Sequence, residues 1–389
     1  MQLHFLPEQS FECRDCSRCC RNWQIHVDEA SRDKIRGSAL ELRILQETGV
    51  SPLEDMEDGT CRTVRREGSC IFLDEHELCR IHSEIDRKSK PIGCRQYPFL
   101  IRPTPDGVVI GVSFYCPSVQ RNSGRPLSEY AGELEELIRE YGYRSVGFEP
   151  IAAGLGLAVD WPAYRLIEHR LTRWLAESPP DAALARAIGT LGRAMLVHQG
   201  RSDRVLGEDV LGVLLDRPPT HRLEEDEVLG TLREFFLAAM VGTIEAPHPE
   251  MARPITEALL EGREVDLTRS GWRGTLPGLY VFLHGPESGS ASELEQGILR
   301  YLRALLFRKF LTMDRPLIDN LAALSLIPSV LRFYHFVDGL KRPQASHDEH
   351  LHMAYDHAEL HMLTHVSGVN PLFAGFASAY LDQLSLLPE

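Results

Sequence analysis

The chain has 389 residues, of which 43% are apolar and 25% charged. That balance excludes a mostly disordered or fibrous protein, and the length predicts more than one domain. The formal charge of −14 speaks against a phosphate-binding surface, so no nucleic-acid partner is expected. In chain order, Asp28 is placed to cap a helix over 29–47, with Gly49 at its stop. Residues 50–69 read as a polar loop, CIFLD at 70–74 as a short strand and LCRIHSEI at 78–85 as a short helix. YPFLIRP and GVVIGVSFY flank Thr104-Pro105-Asp106-Gly107, which predicts a β-hairpin. After 121–126 the pattern changes to helices, beginning with LSEYAGELEELIREYG and continuing through about 372–386.

The expected fold is therefore an α+β cysteine-cluster module at 1–125, followed by a mainly α-helical acidic region at 126–389. The whole is mostly α. The stretch 285–292 (GPESGSAS) is the most linker-like and suggests a division of the helical part. Residues 1–125 carry 18 Lys+Arg against 19 Asp+Glu, whereas the rest carries 24 against 37. An acidic second part suits a basic protein surface, or simply a solvated exterior. No apolar run approaches the roughly 20 residues of a membrane span, the best being 235–241. The opening MQLHFLPEQS has no basic region followed by a long apolar one. A cytoplasmic protein without a membrane partner is the expectation.

All nine cysteines fall within the first 116 residues. An odd number in a chain of this kind points to metal or redox chemistry rather than a disulfide framework. Cys13-x2-Cys16-x2-Cys19-Cys20 opens as a bacterial ferredoxin run does, with Cys116-Pro117 as a remote Cys-Pro ligand. Adjacent side chains diverge as a rule, so Cys19 and Cys20 are expected to serve two centres, or one a centre and one the structure. Cys70, Cys79, His82 and Cys94 form a second set, Cys79 and His82 sharing a helical face. The expected metal ligands are Cys13, Cys16, Cys19, Cys20, Cys70, Cys79, Cys94 and Cys116, with Cys61 an extra. Thiolates suit zinc, copper(I) and iron–sulfur clusters, and the CxxCxxC opening favours an iron–sulfur cluster, of the 4Fe-4S type, over zinc. Arg14, Arg18, Arg21, Arg80 and Arg95 are placed to offset the thiolate charge.

CRDCSRCC, SCIFLDEHELCRIH, KPIGCRQYPF and the later Cys116 resemble the cysteine-cluster family described as a zinc- or iron-chelating domain (YkgJ-like). The order and spacing over about 11–118 are also similar to the flagellin lysine N-methylases. That resemblance implies methyl transfer from S-adenosylmethionine to a lysine of a protein substrate such as flagellin, beside a cysteine-bound metal. The opening here is the tight C-x2-C-x2-CC form of the chelating family, and Gly154-Leu155-Gly156 is a lone GxG read as a turn. The alternative is a non-methylating metal-chelating or electron-transfer protein whose helical region docks a partner.

Six of the 16 histidines fall between 347 and 365. On an ideal helix all but His352 lie within about 80° of one face, and His357, His361 and His365 recur every four residues. His350, His357, His361 and His365 are the expected ligands of a second metal site, with Asp348, Glu349 and Asp356 nearby. The same face also fits a pH-sensitive surface or an ordinary polar one.

Overall fold

The computed structural model describes residues 2–143, 149–200, 204–216, 227–285, 292–364 and 370–386. The chain divides into two compact units, Met1–Ser145 and Val146–Glu389.

In the first unit, strand Phe99–Thr104 pairs antiparallel with Gly107–Val112, and Leu3–Phe5 adds to the latter in parallel. Gly107–Val112 is covered on both faces: Val108, Ile110 and Val112 are buried on one and Val109 on the other. Gly107 closes the expected hairpin at φ 132°, and a Cβ there would lie 2.6 Å from the Gln2 carbonyl oxygen. The helix expected over 29–47 is two helices, Glu29–Ile35 and Ala39–Thr48. Gly37, at φ 72°, ends the first, and the Ser38 side chain caps the second by accepting from the Glu41 amide. The loop expected at 50–69 is instead two small hairpins, Leu53–Asp55 with Cys61–Thr63 and Arg65–Arg66 with Ser69–Cys70. Gly59 and Gly68 supply the positive-φ turns, which the polar composition concealed. Val27, Ile35, Leu40, Ile44, Phe72 and Ile81 build the core over which these pieces close.

Helix Ala131–Tyr141 also belongs to this unit, so the boundary lies past the expected 125. Ion pairs hold it there: Arg87–Glu133 at 2.8 Å, Lys88–Glu136 at 2.6 Å and Arg95–Glu140 at 2.6 Å. Glu133, Glu136 and Glu140 recur at helical spacing, which gives the helix one acidic stripe.

The second unit is helical apart from small strands. Ile151–Gly154 and Leu157–Val159 form a hairpin whose turn is the GxG, with Gly154 at φ 125° and Gly156 at φ 75°. The long helix Leu317–Lys341 is buried nearly all round, as expected of a core helix. It is long and apolar enough to cross a membrane by length and composition, and its most apolar stretch is 94% buried within the unit. Pro180–His198 and Asn370–Leu386 pack against it. A buried charge network ties the unit together: Arg332 pairs with Asp181 at 2.7 Å and Glu295 at 2.7 Å, and Arg233 with Asp181 at 2.8 Å. Residues 286–291, most of the stretch where a division was expected, lie outside the described residues.

Candidate metal centre

The chain is bent into the site by backbone that few residues adopt. Asp15 and Ser17 have φ of 49° and 51°, left-handed values that an L residue adopts only when its surroundings hold it. Ser17 is held by its hydroxyl, which donates to the Cys16 carbonyl at 2.8 Å and to Glu77 Oε2 at 2.9 Å. Arg21 pairs with the same Glu77. Helix Arg18–Asn22 then starts, carrying Cys19 and Cys20 in its first turn.

Cys19 and Cys20 do not diverge. Their Sγ atoms are 3.9 Å apart, and both line one cavity of about 80 Å³ with Cys70, Cys79 and Cys94. Cys70 ends the hairpin strand Ser69–Cys70, Cys79 bridges to Leu73, and Cys94 sits on the short helix Ile92–Gln96. Trp23, Ile25, Phe72 and Tyr97 supply apolar wall. The Trp23 ring stands edge-on to Tyr97, with centroids 5.2 Å apart, and packs on Tyr115 at 4.9 Å.

The thiols of this cavity resist ionising together. Burial pushes Cys70 up to about 11, with the charges of Cys20 and Cys79 adding to it and the Phe72 amide opposing. Burial likewise pushes Cys94 far up, against the pull of Lys90. Within the adjacent pair the proton stays on Cys19. Cys20 accepts its S–H and is brought down to about 7, burial opposing and Lys90 assisting.

Lys90 is the cation of the cavity; it opens the KPIGCRQYPF segment, where sequence alone assigned it no role. Burial disfavours its ammonium, yet the negative charge of the facing sulfurs, that of Cys79 foremost, outweighs burial and holds its pKa above the ordinary lysine value. Its main chain is fixed: the amide donates to the Arg87 carbonyl, and the carbonyl accepts from Ser31 Oγ. The arginines expected to serve this purpose are engaged elsewhere. Arg21 faces Glu77, Arg80 faces Glu47 and Glu84, Arg95 faces Glu140, and Arg18 lies 4.4 Å over the Tyr115 ring. Arg14 is exposed.

The other three expected ligands form a neighbouring group. Cys13 and Cys16 are exposed, whereas Cys116 is buried ahead of the short helix Pro117–Gln120. Burial pushes Cys116 up to about 11, the amides of Val119 and Ser118 opposing and the charges of Cys16 and Cys13 adding. Cys13 also raises the pKa of Cys19, so the two groups adjoin. His82 is exposed and lines no part of the cavity, and the segment Ile81–Ile85 that carries it is wound as a π-helical turn rather than an α-helix. Cys61 is a core residue, 3% exposed. Among the described residues no three His, Cys, Asp or Glu side chains stand at closed-shell ligand spacing.

The donor set nonetheless fits a metal. Soft sulfur ligands surround one cavity, and burial holds the protons on Cys70 and Cys94. A bound cation would take the thiolates and release those protons.

In the second unit the histidines expected to form one ligand face are spread. His350 bonds through Nδ1 to Asp338 Oδ2 at 2.7 Å, while His357 stacks on Tyr334 with ring centroids 3.9 Å apart. His361 lies beside His357, at 5.8 Å between centroids. The helix ends at His357 and continues as a π-helix over Ala358–Thr364, which shifts the four-residue spacing off one face. His365 lies outside the described residues.

With this geometry in place, the comparisons are specific to the first unit. Residues 12–117 match the model of the CxxCxxCC family, described as a "putative zinc- or iron-chelating domain". An uncharacterised protein of Methanocaldococcus jannaschii is 28% identical over 134 residues, covering 34% of this chain and 44% of that protein. The chain thus spans less than half the length of this relative. The flagellar biosynthetic protein FliU of Salmonella muenchen is 25% identical over 145 residues, 35% of this chain and 85% of that protein. No solved structure matches. Residues 12–117, with the cysteines gathered as described, thus resemble the CxxCxxCC zinc- or iron-chelating domain, which supports metal binding by this part of the chain.

Proposed function

We propose that the first unit holds an iron–sulfur cluster, of the 4Fe-4S type, in the cavity between Cys19, Cys20, Cys70, Cys79 and Cys94. The observation that carries this reading is the combination of five thiols, one ammonium and a cavity of about 80 Å³. A structural zinc ion takes four ligands in direct contact and leaves no space between them. A space of this size holds on the order of five waters at 10–15 Å³ each, and suits a polynuclear centre. Lys90 would offset part of the negative charge of a thiolate-ligated cluster. When bound, the cluster would supply one-electron chemistry. The chain's own part is to exclude water with Trp23, Phe72 and Tyr97 and to hold the thiols in place. Anaerobic purification followed by iron and acid-labile sulfide analysis tests this. Iron and sulfide in near-equal amounts support it; zinc without sulfide refutes it.

A second reading concerns the whole chain. The likeness to FliU over 85% of that protein, together with the N-terminal signature, supports methyl transfer from S-adenosylmethionine to a lysine of a protein such as flagellin. The acidic second part is suited to a lysine-bearing surface. Incubation of the metal-loaded chain with S-adenosylmethionine and flagellin, read by mass spectrometry, tests it. Mass gains of one methyl group support it. A chain that neither binds S-adenosylmethionine nor adds methyl groups is the non-methylating metal or electron-transfer protein.

A further inference from the structure

Helix Leu317–Lys341 and helix His347–His357 pack together, and histidines from both meet at their contact. His335 Nε2 on the first helix stands 3.0 Å from His347 Nδ1 on the second, with ring centroids 4.7 Å apart. The His350 ring lies edge-on to His335 at 5.6 Å. Asp338 accepts from His350 Nδ1 at 2.7 Å, and Arg342 clamps the same carboxylate at 2.5 and 2.9 Å.

Two features of this group are those of a metal site. Ligand nitrogens on a tetrahedral ion at 2.0–2.1 Å are separated by roughly 3.3 Å, and the His335–His347 pair is already within a few tenths of that. Ligand imidazoles also hold their other nitrogen against a carboxylate, which fixes the tautomer, as Asp338 does for His350. His350 Nε2 is thereby left as the lone-pair nitrogen. The ring of His347 is kept at the contact although its Nε2 is buried without a hydrogen-bond partner. In the metal-free chain one of the two facing nitrogens, His335 Nε2 or His347 Nδ1, carries the proton of their hydrogen bond, and a bound cation would displace it.

We propose that His335 Nε2, His347 Nδ1 and His350 Nε2 form a second, thiol-free site for a divalent transition cation of the zinc, nickel or copper class, with Asp338 orienting His350. Imidazole nitrogen is the donor these ions share. The pair stands ready, and closing the shell requires the His350 ring to swing toward it, with water in the remaining position. The ligand set differs from the four histidines expected from sequence because His335, on the preceding helix, carries the pairing across. The site does not depend on the reading of the cysteine centre.

Cobalt(II) as a probe separates the two sites, since thiolate-bound cobalt shows sulfur-to-metal charge-transfer absorption and imidazole-bound cobalt does not. The anaerobic full-length chain is titrated with cobalt(II) beside His335→Ala, His347→Ala and His361→Ala. The expected result is one equivalent without thiolate absorption in the parent and in His361→Ala, lost in the other two while the thiolate bands persist. Equal thiol-free uptake in all four chains, or uptake entirely of thiolate type in the parent, overturns the proposal. Because His335→Ala alters a helix contact, His347→Ala, at the partly exposed first position of its helix, is the second variant, and circular dichroism of each confirms folding.

Discussion

One carboxylate, that of Asp28, joins two segments of the metal-binding unit: one oxygen accepts from the Ser31 amide at 3.0 Å, and the other from the Ile92 amide at 2.8 Å. The first bond caps helix Glu29–Ile35; the second anchors the helix that carries Cys94 two residues later. Burial raises the Asp28 pKa, but these bonds outweigh it and hold the carboxyl below the ordinary value.

Asp28→Ala is therefore expected to destabilise the unit by about 1–2 kcal/mol. It is also expected to weaken metal retention, because Cys94 loses its anchor. The carboxyl pKa is depressed in the folded state, so its contribution is complete above the unfolded value of about 3.9 and is lost as pH falls through the folded one. Chemical denaturation with metal analysis checks this, and a variant with unchanged stability and metal content would show the link to be idle.

Cys61 and Cys94 are expected to separate cleanly. Cys94 lines the thiol cavity, whereas Cys61 is enclosed by the core built around Val27 and Ile35. Cys94→Ser should remove most bound metal. Cys61→Ala should keep the metal and cost about 1–2 kcal/mol of stability through lost packing. Metal loss in Cys61→Ala equal to that in Cys94→Ser would contradict the grouping.

Lys90→Met removes the positive charge of the cavity. In the metal-free chain the Cys20 thiol, now at about 7, should titrate on the order of one unit higher, following thiolate absorbance. Lys90→Arg should restore most of the effect. An unaltered titration in Lys90→Met would mean that Cys19 alone sets the Cys20 value.

In the second unit, Asp181 is shared by Arg332 and Arg233. Asp181→Ala leaves Arg233 without its buried carboxylate and Arg332 with Glu295 alone, and is expected to cost about 3–5 kcal/mol. Asp181→Asn, which keeps the shape and loses the charge, should cost nearly as much. A fall in melting temperature no larger than that of a surface control would refute the network's role.

Burial holds His357 neutral, lowering its pKa to about 3, with the charge of His361 adding to the effect and Asp338 opposing. The unfolded histidine titrates near 6.5, so between these values the unfolded chain binds the extra proton and stability falls as pH falls. The slope due to this residue approaches about 1.4 kcal/mol per pH unit, and should disappear in His357→Gln. Denaturant midpoints measured at several pH values between 4 and 7 decide the matter.

Residue types and spacing alone determined that metal chemistry resides at the N-terminal end, since nine cysteines confined to 116 residues and the tight CxxCxxCC run are compositional facts. The α+β-then-helical order and the hairpin at Thr104–Gly107 were equally legible, because turn chemistry and apolar periodicity are local. What only the tertiary structure decided is which groups meet. Cys19 and Cys20 converge because a left-handed bend at Ser17 and the start of a helix direct both side chains to one cavity, where an extended chain would part them. Lys90 reaches the thiols, and Glu77 holds Ser17, through contacts between segments that are far apart in sequence. The partners of the described histidines are likewise set by tertiary contacts. A four-residue repeat predicts one face only while the winding stays α-helical, and here it changes at Ala358, while the partner of His347 comes from another helix altogether.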